Sequence, residues 1–270
     1  MSGRVLPLGD GGPWSGGAVT ERATCVLAPN AGPMTLDGTN TWVLAEPGAS
    51  QVVVLDPGPA DPGHLAAIAA AVDGRRVGLV LLTHGHPDHA EGAAELAAAV
   101  DAPVAALDPA HRLGSEGVVD GDRVEVGGLE LEVVGTPGHT ADSLSFLLPA
   151  DGALLTGDTV LGRGSTVVAH PDGRLADYLH SLRRLEHLAL EREARVVLPG
   201  HGPALGDPAA AVAAYLAHRE ERLAQVRDAL AAGAETADDV VAVVYADVPR
   251  EVWPAARLSV QAQLAYLDRD

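Results

Sequence analysis

The order of apolar segments predicts a layered α/β protein followed by a small all-helical segment. Three observations carry that reading. Short apolar runs alternate with helical patterns up to Gly206. Several of those runs end in a glycine-containing turn followed by a histidine or aspartate. After Gly206-Asp207-Pro208 the strand pattern stops and only helical periodicity continues to the end.

A length of 270 residues is enough for one large domain, or a large one with a small companion. Hydrophobic residues make up 47% of the chain but aromatics only 3%, so Ala, Val and Leu must build most of the core. No apolar run reaches the roughly 18 residues that a membrane-spanning helix needs. Gly, Pro and Asp interrupt Met1 to Thr20 where a signal peptide would be apolar, so a cytoplasmic protein is expected. The single cysteine, Cys25, excludes an internal disulfide, fits a reducing compartment, and reads as a small buried hydrophobe.

All 18 basic residues are arginine, which removes lysine Schiff-base and P-loop chemistry. A net charge of −19 repels polyanions at long range and disfavours nonspecific nucleic-acid binding. Abundant Ala, Gly and Arg without Lys point to a GC-rich bacterial genome.

In chain order, Met1 to Gly17 reads as a loose lead-in. Ala23 to Ala28 and Thr41 to Leu44 read as strands around the turn Leu36-Asp37-Gly38-Thr39-Asn40. Gln51 to Leu55 is a buried strand ending at Asp56-Pro57-Gly58, and Pro62 to Val72 is helical. Val77 to Leu82 is the next strand, a helix over Ala90 to Val100 follows, and Pro103 to Leu107 is a short strand. Arg123 to Val126, Leu129 to Val134, Leu144 to Leu148 and Ala153 to Leu155 read as successive strands. The stripe Leu175, Tyr178, Leu179, Leu182, Leu185 and Leu188 predicts an amphipathic helix facing a core. Arg195 to Leu198 is the last strand, and Asp207 with Pro208 caps the first helix of the tail.

The chemistry gathers at strand ends. Thr83-His84-Gly85-His86-Pro87-Asp88-His89 places three histidines and an aspartate between a strand and a helix. His139 follows Thr136-Pro137-Gly138, Asp158 follows Thr156-Gly157, and His201 follows Pro199-Gly200. Glycine lets the backbone turn sharply beside an ion. Imidazole with carboxylate suits zinc or another borderline first-row cation. Any one of these residues alone would read as a turn or surface group; their recurrence after successive strands points to one metal centre.

This combination resembles the metallo-β-lactamase-fold hydrolases over roughly residues 20–206. The resemblance implies an αββα sandwich with the site at one edge of its two sheets. It assigns His84, His86 and His139 to one ion and Asp88, His89 and His201 to a second, with Asp158 bridging. It further implies two Zn2+ (Fe or Mn fit the same donors) and hydrolysis by a metal-bridging hydroxide, with Asp88 as both ligand and catalytic residue.

Thr35 to Trp42, Gly157 to Ser165 and the tail from Pro208, including His218-Arg219-Glu220-Glu221-Arg222, are similar to the lactamase-β-like subgroup. That subgroup carries a C-terminal winged-helix-like domain, which sets the expected domains at 1–206 and 207–270. The β wing is expected to be missing here, because the sequence stops soon after the helix that would precede it. The tail holds 11 acidic residues against 6 Arg, so DNA binding is not expected; covering the active-site mouth or forming a homodimer is.

The expected substrate is a small ester-like molecule or a short single-stranded RNA, with no membrane partner. A thioesterase or lactonase of the glyoxalase II type is the alternative, and a mononuclear iron redox enzyme of the same fold a more distant one. Around the ligands, Asp56 is a candidate support for a metal ligand. Asn40, Thr41 and Arg163 are candidate pocket residues that turn chemistry or solvation would also explain. His170 and His180 are expected on the surface, and His64, His111, His187 and His218 are expected to bind nothing.

Overall fold

The computed structural model describes residues 13–268, and the first part of the expected lead-in lies outside that range. Two mixed six-stranded sheets form the body. The first takes its strands in chain order: β1 (Gly17–Ala18), β2 (Ala23–Leu27), β3 (Asn40–Leu44), β4 (Gln51–Leu55), β5 (Arg76–Leu81) and β6 (Val104–Ala105). The second does the same with β7 (Arg123–Val126), β8 (Leu129–Gly135), β9 (Leu144–Leu148), β10 (Ala153–Gly157), β11 (Val196–Pro199) and β12 (Leu205–Gly206). Pairing is antiparallel except for β4 with β5, β5 with β6, and β10 with β11. Those parallel pairs are the places where a helix or long loop intervenes.

Strand alternation divides the cores. Trp42, Leu44, Val53 and Leu55 of the first sheet meet Leu131, Leu144, Phe146 and Leu155 of the second. The intervening residues Val43, Val52 and Val54 face the other way, against α1 (Pro62–Val72) and α3 (Ala93–Val100). On the outside of the second sheet, Val134 and Val197 pack against α4 (Leu175–Glu191) and the first half of α5 (Pro208–Ala231). The result is an α/β sandwich, helix–sheet–sheet–helix. The expected stripe on α4 is buried at Leu175, Tyr178, Leu179, Leu182 and Leu185.

The expected helix over Ala90 to Val100 is interrupted. A one-turn helix, α2 (Pro87–Ala90), ends and α3 begins at Ala93. The N–H of Gly92 donates outside the helix to Gly58 O at 2.9 Å, and Gly58 N donates to His89 O at 3.0 Å. A Cβ on Gly92 would meet Pro59 O at 3.0 Å, so glycine permits this close crossing. The break ties the ligand-bearing turn to the loop after β4.

The tail is helical throughout the described residues: after α5 come α6 (Ala237–Val244) and α7 (Trp253–Leu267), and no strand follows Gly206. Asp207 caps α5 by accepting from Ala210 N at 3.1 Å. Thr236 and Asp239 cap α6 reciprocally. Val226, Ala229, Val240, Val241, Ala256 and Val260 form the tail's own core. Among the described residues, no helix is long and apolar enough to cross a membrane.

Candidate metal centre

The strand ends converge at one edge of the sandwich. His84, His86, Asp88 and His89 leave the first sheet after β5; His139, Asp158 and His201 leave the second after β8, β10 and β11. The two sheets are fastened to each other there. Asn40 Nδ2 donates to Pro199 O at 2.9 Å and to Gly202 O at 2.8 Å, and Trp42 Nε1 donates to Pro199 O at 3.1 Å. Asn40 and Thr41 are wholly buried, so they brace the site and do not edge a pocket.

All seven residues named from the sequence gather in this cluster, and their donor atoms form groups able to hold a metal ion: His84, His86 and His139; Asp88, His89 and His201; and His84, His89 and Asp158. In the first group, His86 Nδ1 lies 3.0 Å from His84 Nε2 and 3.1 Å from His139 Nε2. In the second, His201 Nε2 lies 3.2 Å from His89 Nε2 and 3.2 Å from Asp88 Oδ2. Tetrahedral ligands at ~2.0–2.1 Å from one ion are themselves about 3.3 Å apart, so these spacings fit. Asp158 lies between the groups, with Oδ2 3.6 Å from His139 Nε2 and 3.4 Å from His201 Nε2. Its Oδ1 is buried without a hydrogen-bond partner, an orphaned anionic oxygen that a cation would satisfy.

The outer nitrogens decide the tautomers. His89 Nδ1 donates to Asp56 Oδ2 at 2.9 Å, His139 Nδ1 to Val167 O at 2.6 Å, and His201 Nδ1 to Gly38 O at 3.2 Å. The Thr83 hydroxyl donates to Asp56 Oδ2 at 2.7 Å and therefore accepts from His84 Nδ1 at 3.0 Å. In its neutral form each of these four rings turns an unprotonated Nε2 inward, the form a metal takes. Asp56 is the shared support, since it also accepts from Thr83 N at 2.7 Å.

The protein's own charges reveal the strain of this arrangement. Burial, and then the neighbouring histidines His89 and His139, hold His84 well below its ordinary pKa; burial also lowers His139. Burial would lower His89 and His201 as well, but Asp158, Asp56 and Asp88 outweigh it. His89 is held well above its usual value and His201 is pushed up to about 9. Asp158 stays well below the carboxylate range in spite of burial, because of His201 and His89. The cluster therefore favours cations, and bound metal would replace those protons.

Glycine is required beside the ligands. A Cβ on Gly200 would fall 2.5 Å from Asp158 Oδ1 and 2.8 Å from His89 Cε1. Gly157, at φ 47°, would strike the Thr83 side chain at 2.7 Å.

Other candidates land elsewhere. Arg163 pairs with Asp37. His170, His180 and His187 are exposed. His64, which the sequence leaves without a partner, is buried, with Nε2 2.8 Å from the Thr41 hydroxyl that donates to Asp56 O. His111 packs against Gly85, and the two line a cavity of about 240 Å3 with His86, Thr140, Asp108, Asp142 and Asp172. Neither role has a local sequence signal: both arise from loops meeting across the fold.

With this geometry in view, sequence comparison gives the family. The model of the metallo-beta-lactamase superfamily matches residues 34–201, and that of the beta-lactamase associated winged helix domain matches residues 236–270. The chain belongs to the metallo-β-lactamase superfamily and is a hydrolase of that fold with a C-terminal winged-helix domain. It is 33% identical to the Beta-lactamase-like protein 2 homolog of Caenorhabditis elegans, over 93% of this chain and 86% of the relative. It is 32% identical to the Atrochrysone carboxyl ACP thioesterase of Aspergillus fumigatus, over 87% of this chain and 76% of the relative. A beta-lactamase domain protein from Burkholderia ambifaria shares the fold with a TM-score of 0.80 at 24% identity, over 98% of this chain and 92% of that one.

Proposed function

We propose that the chain is a dinuclear metal hydrolase of carbonyl esters, thioesters foremost. His84, His86 and His139 would hold one ion, Asp88, His89 and His201 the second, and Asp158 would contact both. Nitrogen and carboxylate donors favour zinc, with iron or manganese compatible. When bound, the ions would supply Lewis acidity and an activated water near neutral pH.

The protein's residues do the rest. Asp56, Thr83, Val167 and Gly38 fix the ring orientations through the hydrogen bonds above. Asp88 is the most exposed of the inner carboxylates, its side chain 30% accessible against 11% for Asp158, so it suits the role of orienting the attacking water. His89 and Asp158, with side chains 0% and 11% accessible, are more shielded from solvent than Asp88.

The observation that supports this substrate class over RNA is the acidic rim. Asp108, Asp142 and Asp172 line the cavity beside His86, on a chain of net charge −19. That rim opposes the repeated negative charge of an RNA backbone but not a carbonyl group. The thioesterase relative supports the same choice.

The test assays metal-analysed protein against short-chain acyl thioesters, bis-p-nitrophenyl phosphate and a short single-stranded RNA. Thioester hydrolysis with two bound ions, lost in Asp88→Ala while cooperative unfolding persists, is expected. Phosphodiester cleavage without thioester hydrolysis would replace this reading.

A further inference from the structure

A second cavity, of about 220 Å3, lies where the loop around Ser165 to Val167 meets α5, α7 and the end of α6. Its lining contains His218, Arg219 and Arg222 and not one carboxylate, on a chain with 37 acidic residues against 18 basic ones. Arg219 is only 4% exposed. Its guanidinium donates to Thr166 O and stacks 5.1 Å from the Tyr178 ring centre, yet its Nε has no hydrogen-bond partner. No carboxylate pairs with it among the described residues.

Arg222 donates to Val244 O at 3.0 Å and Gln225 Oε1 at 2.8 Å and stacks on Tyr245, again without a carboxylate partner among the described residues. The nearby Glu221 accepts from Gln225 and is not part of the lining. Burial first, and then Arg219 and Arg222, lower the pKa of His218 against the opposing pull of Glu221. A buried guanidinium without its anion is costly, and an arginine pair in a partly closed cavity is a ready anion receptor. Met34, Tyr245, Val248 and Val252 give one part of the wall an apolar surface, beside the hydroxyl-bearing Ser165, Thr166 and Ser259.

From these residues we propose that the cavity binds a short organic carboxylate, its anionic end at Arg219 and Arg222 and its hydrocarbon against Met34 and Val252. At ~30 Å3 per water the volume equals roughly seven waters, close to the eight heavy atoms of hexanoate. The cavity adjoins the metal cluster through one loop: the Thr166 hydroxyl donates to Asp158 O at 2.6 Å, and Val167 O accepts from His139. Resting on the thioesterase reading, the carboxylate belongs to the far end of the substrate's acyl group, making a dicarboxylic half-thioester the preferred class.

Isothermal titration of hexanoate, hexan-1-ol and inorganic phosphate into the metal-loaded protein tests the site independently of turnover. Hexanoate is expected to bind at least tenfold more tightly than hexan-1-ol, and at least tenfold more weakly in Arg222→Gln. Arg222 is half-buried, so this variant is expected to fold; Arg219→Gln is the second variant. Equal binding of hexanoate to wild type and Arg222→Gln would place it on the metal ions and overturn the proposal, as would equal binding of the alcohol. Tight phosphate binding that Arg222→Gln abolishes, without hexanoate binding, would overturn the carboxylate assignment.

A second arm compares kcat/KM for adipoyl and hexanoyl thioesters. A preference for adipoyl that falls tenfold in Arg222→Gln identifies the anion as the substrate's own. Carboxylate binding with no such preference overturns the substrate assignment and makes the ligand a separate effector. Carboxylate binding with no thioester turnover would refute the proposed function and leave the binding site standing.

Discussion

Around His84, His86 and His139 the protein supplies three imidazoles and no carboxylate of their own, whereas around His89 and His201 it supplies Asp88 and Asp158, with Asp56 behind them. The first group includes the half-buried His86, beside the acidic cavity; the second centres on two rings that are almost fully buried. The contrast teaches a division of labour: on the proposed reading the imidazole side would leave an ion with more positive charge facing the rim, while the carboxylate side would neutralise its ion and support it from beneath. An ion on the first side should polarise substrate more strongly, and one on the second should be harder to dislodge.

Removing the two proposed ions with a chelator is the largest perturbation. Activity should vanish. With each free ion at about 100 times its Kd the stabilisation is ~2.7 kcal/mol per ion, so losing two corresponds to about 5.4 kcal/mol and roughly a 10 °C fall in Tm for a chain of 270 residues. Graded chelation sharpens the comparison: the ion on the imidazole side should leave first, read by metal content against residual turnover.

Asp56→Asn attacks the carboxylate side. Its amide NH2 would face the Nδ1–H of His89 and push that ring toward the wrong tautomer. Metal affinity on that side should fall about 10–100-fold by competitive chelator titration. Because Asp56 also positions His84 through Thr83, a smaller loss is expected on the imidazole side, and a larger loss there than at His89 would break the proposed contrast. Gly200→Ala drives a methyl against Asp158 and His89. A smaller loss is expected, about 1–3 kcal/mol of stability by denaturant unfolding with a parallel drop in turnover.

The smallest effect is a control remote from the cluster. Burial would raise the pKa of Asp151, but Thr20 and Arg22 outweigh it and hold the carboxyl below its usual range. Because the folded value is depressed, its stabilisation is present at neutral pH and is lost as pH falls below about 4. Asp151→Asn should reduce acid sensitivity of unfolding without changing metal affinity.

Much of this was legible in sequence because each inner ligand follows its own strand and glycine. The period-2 alternation of Gln51 to Leu55 and the stripe on α4 were likewise local signals that packing preserved. What escaped detection was non-local. Gly92 breaks a good helical pattern because the loop after β4 crosses it. Asn40 looks like a turn residue until its amide is seen binding two carbonyls some 160 positions away. Arg219, on a helix of mixed charge, gives no sign that it will be buried without a carboxylate.

The arrangement of the two sheets also sets an order of events during biosynthesis. Each sheet comes from one continuous half of the chain, and neither half carries a complete ligand set. When the His84 to His89 segment leaves the ribosome, translation needs on the order of ten seconds more to reach His201. Throughout that interval His84, His86, Asp88 and His89 lack the partners that the second sheet supplies. The complete ligand sets of the two proposed ions would therefore form only once the second sheet docks.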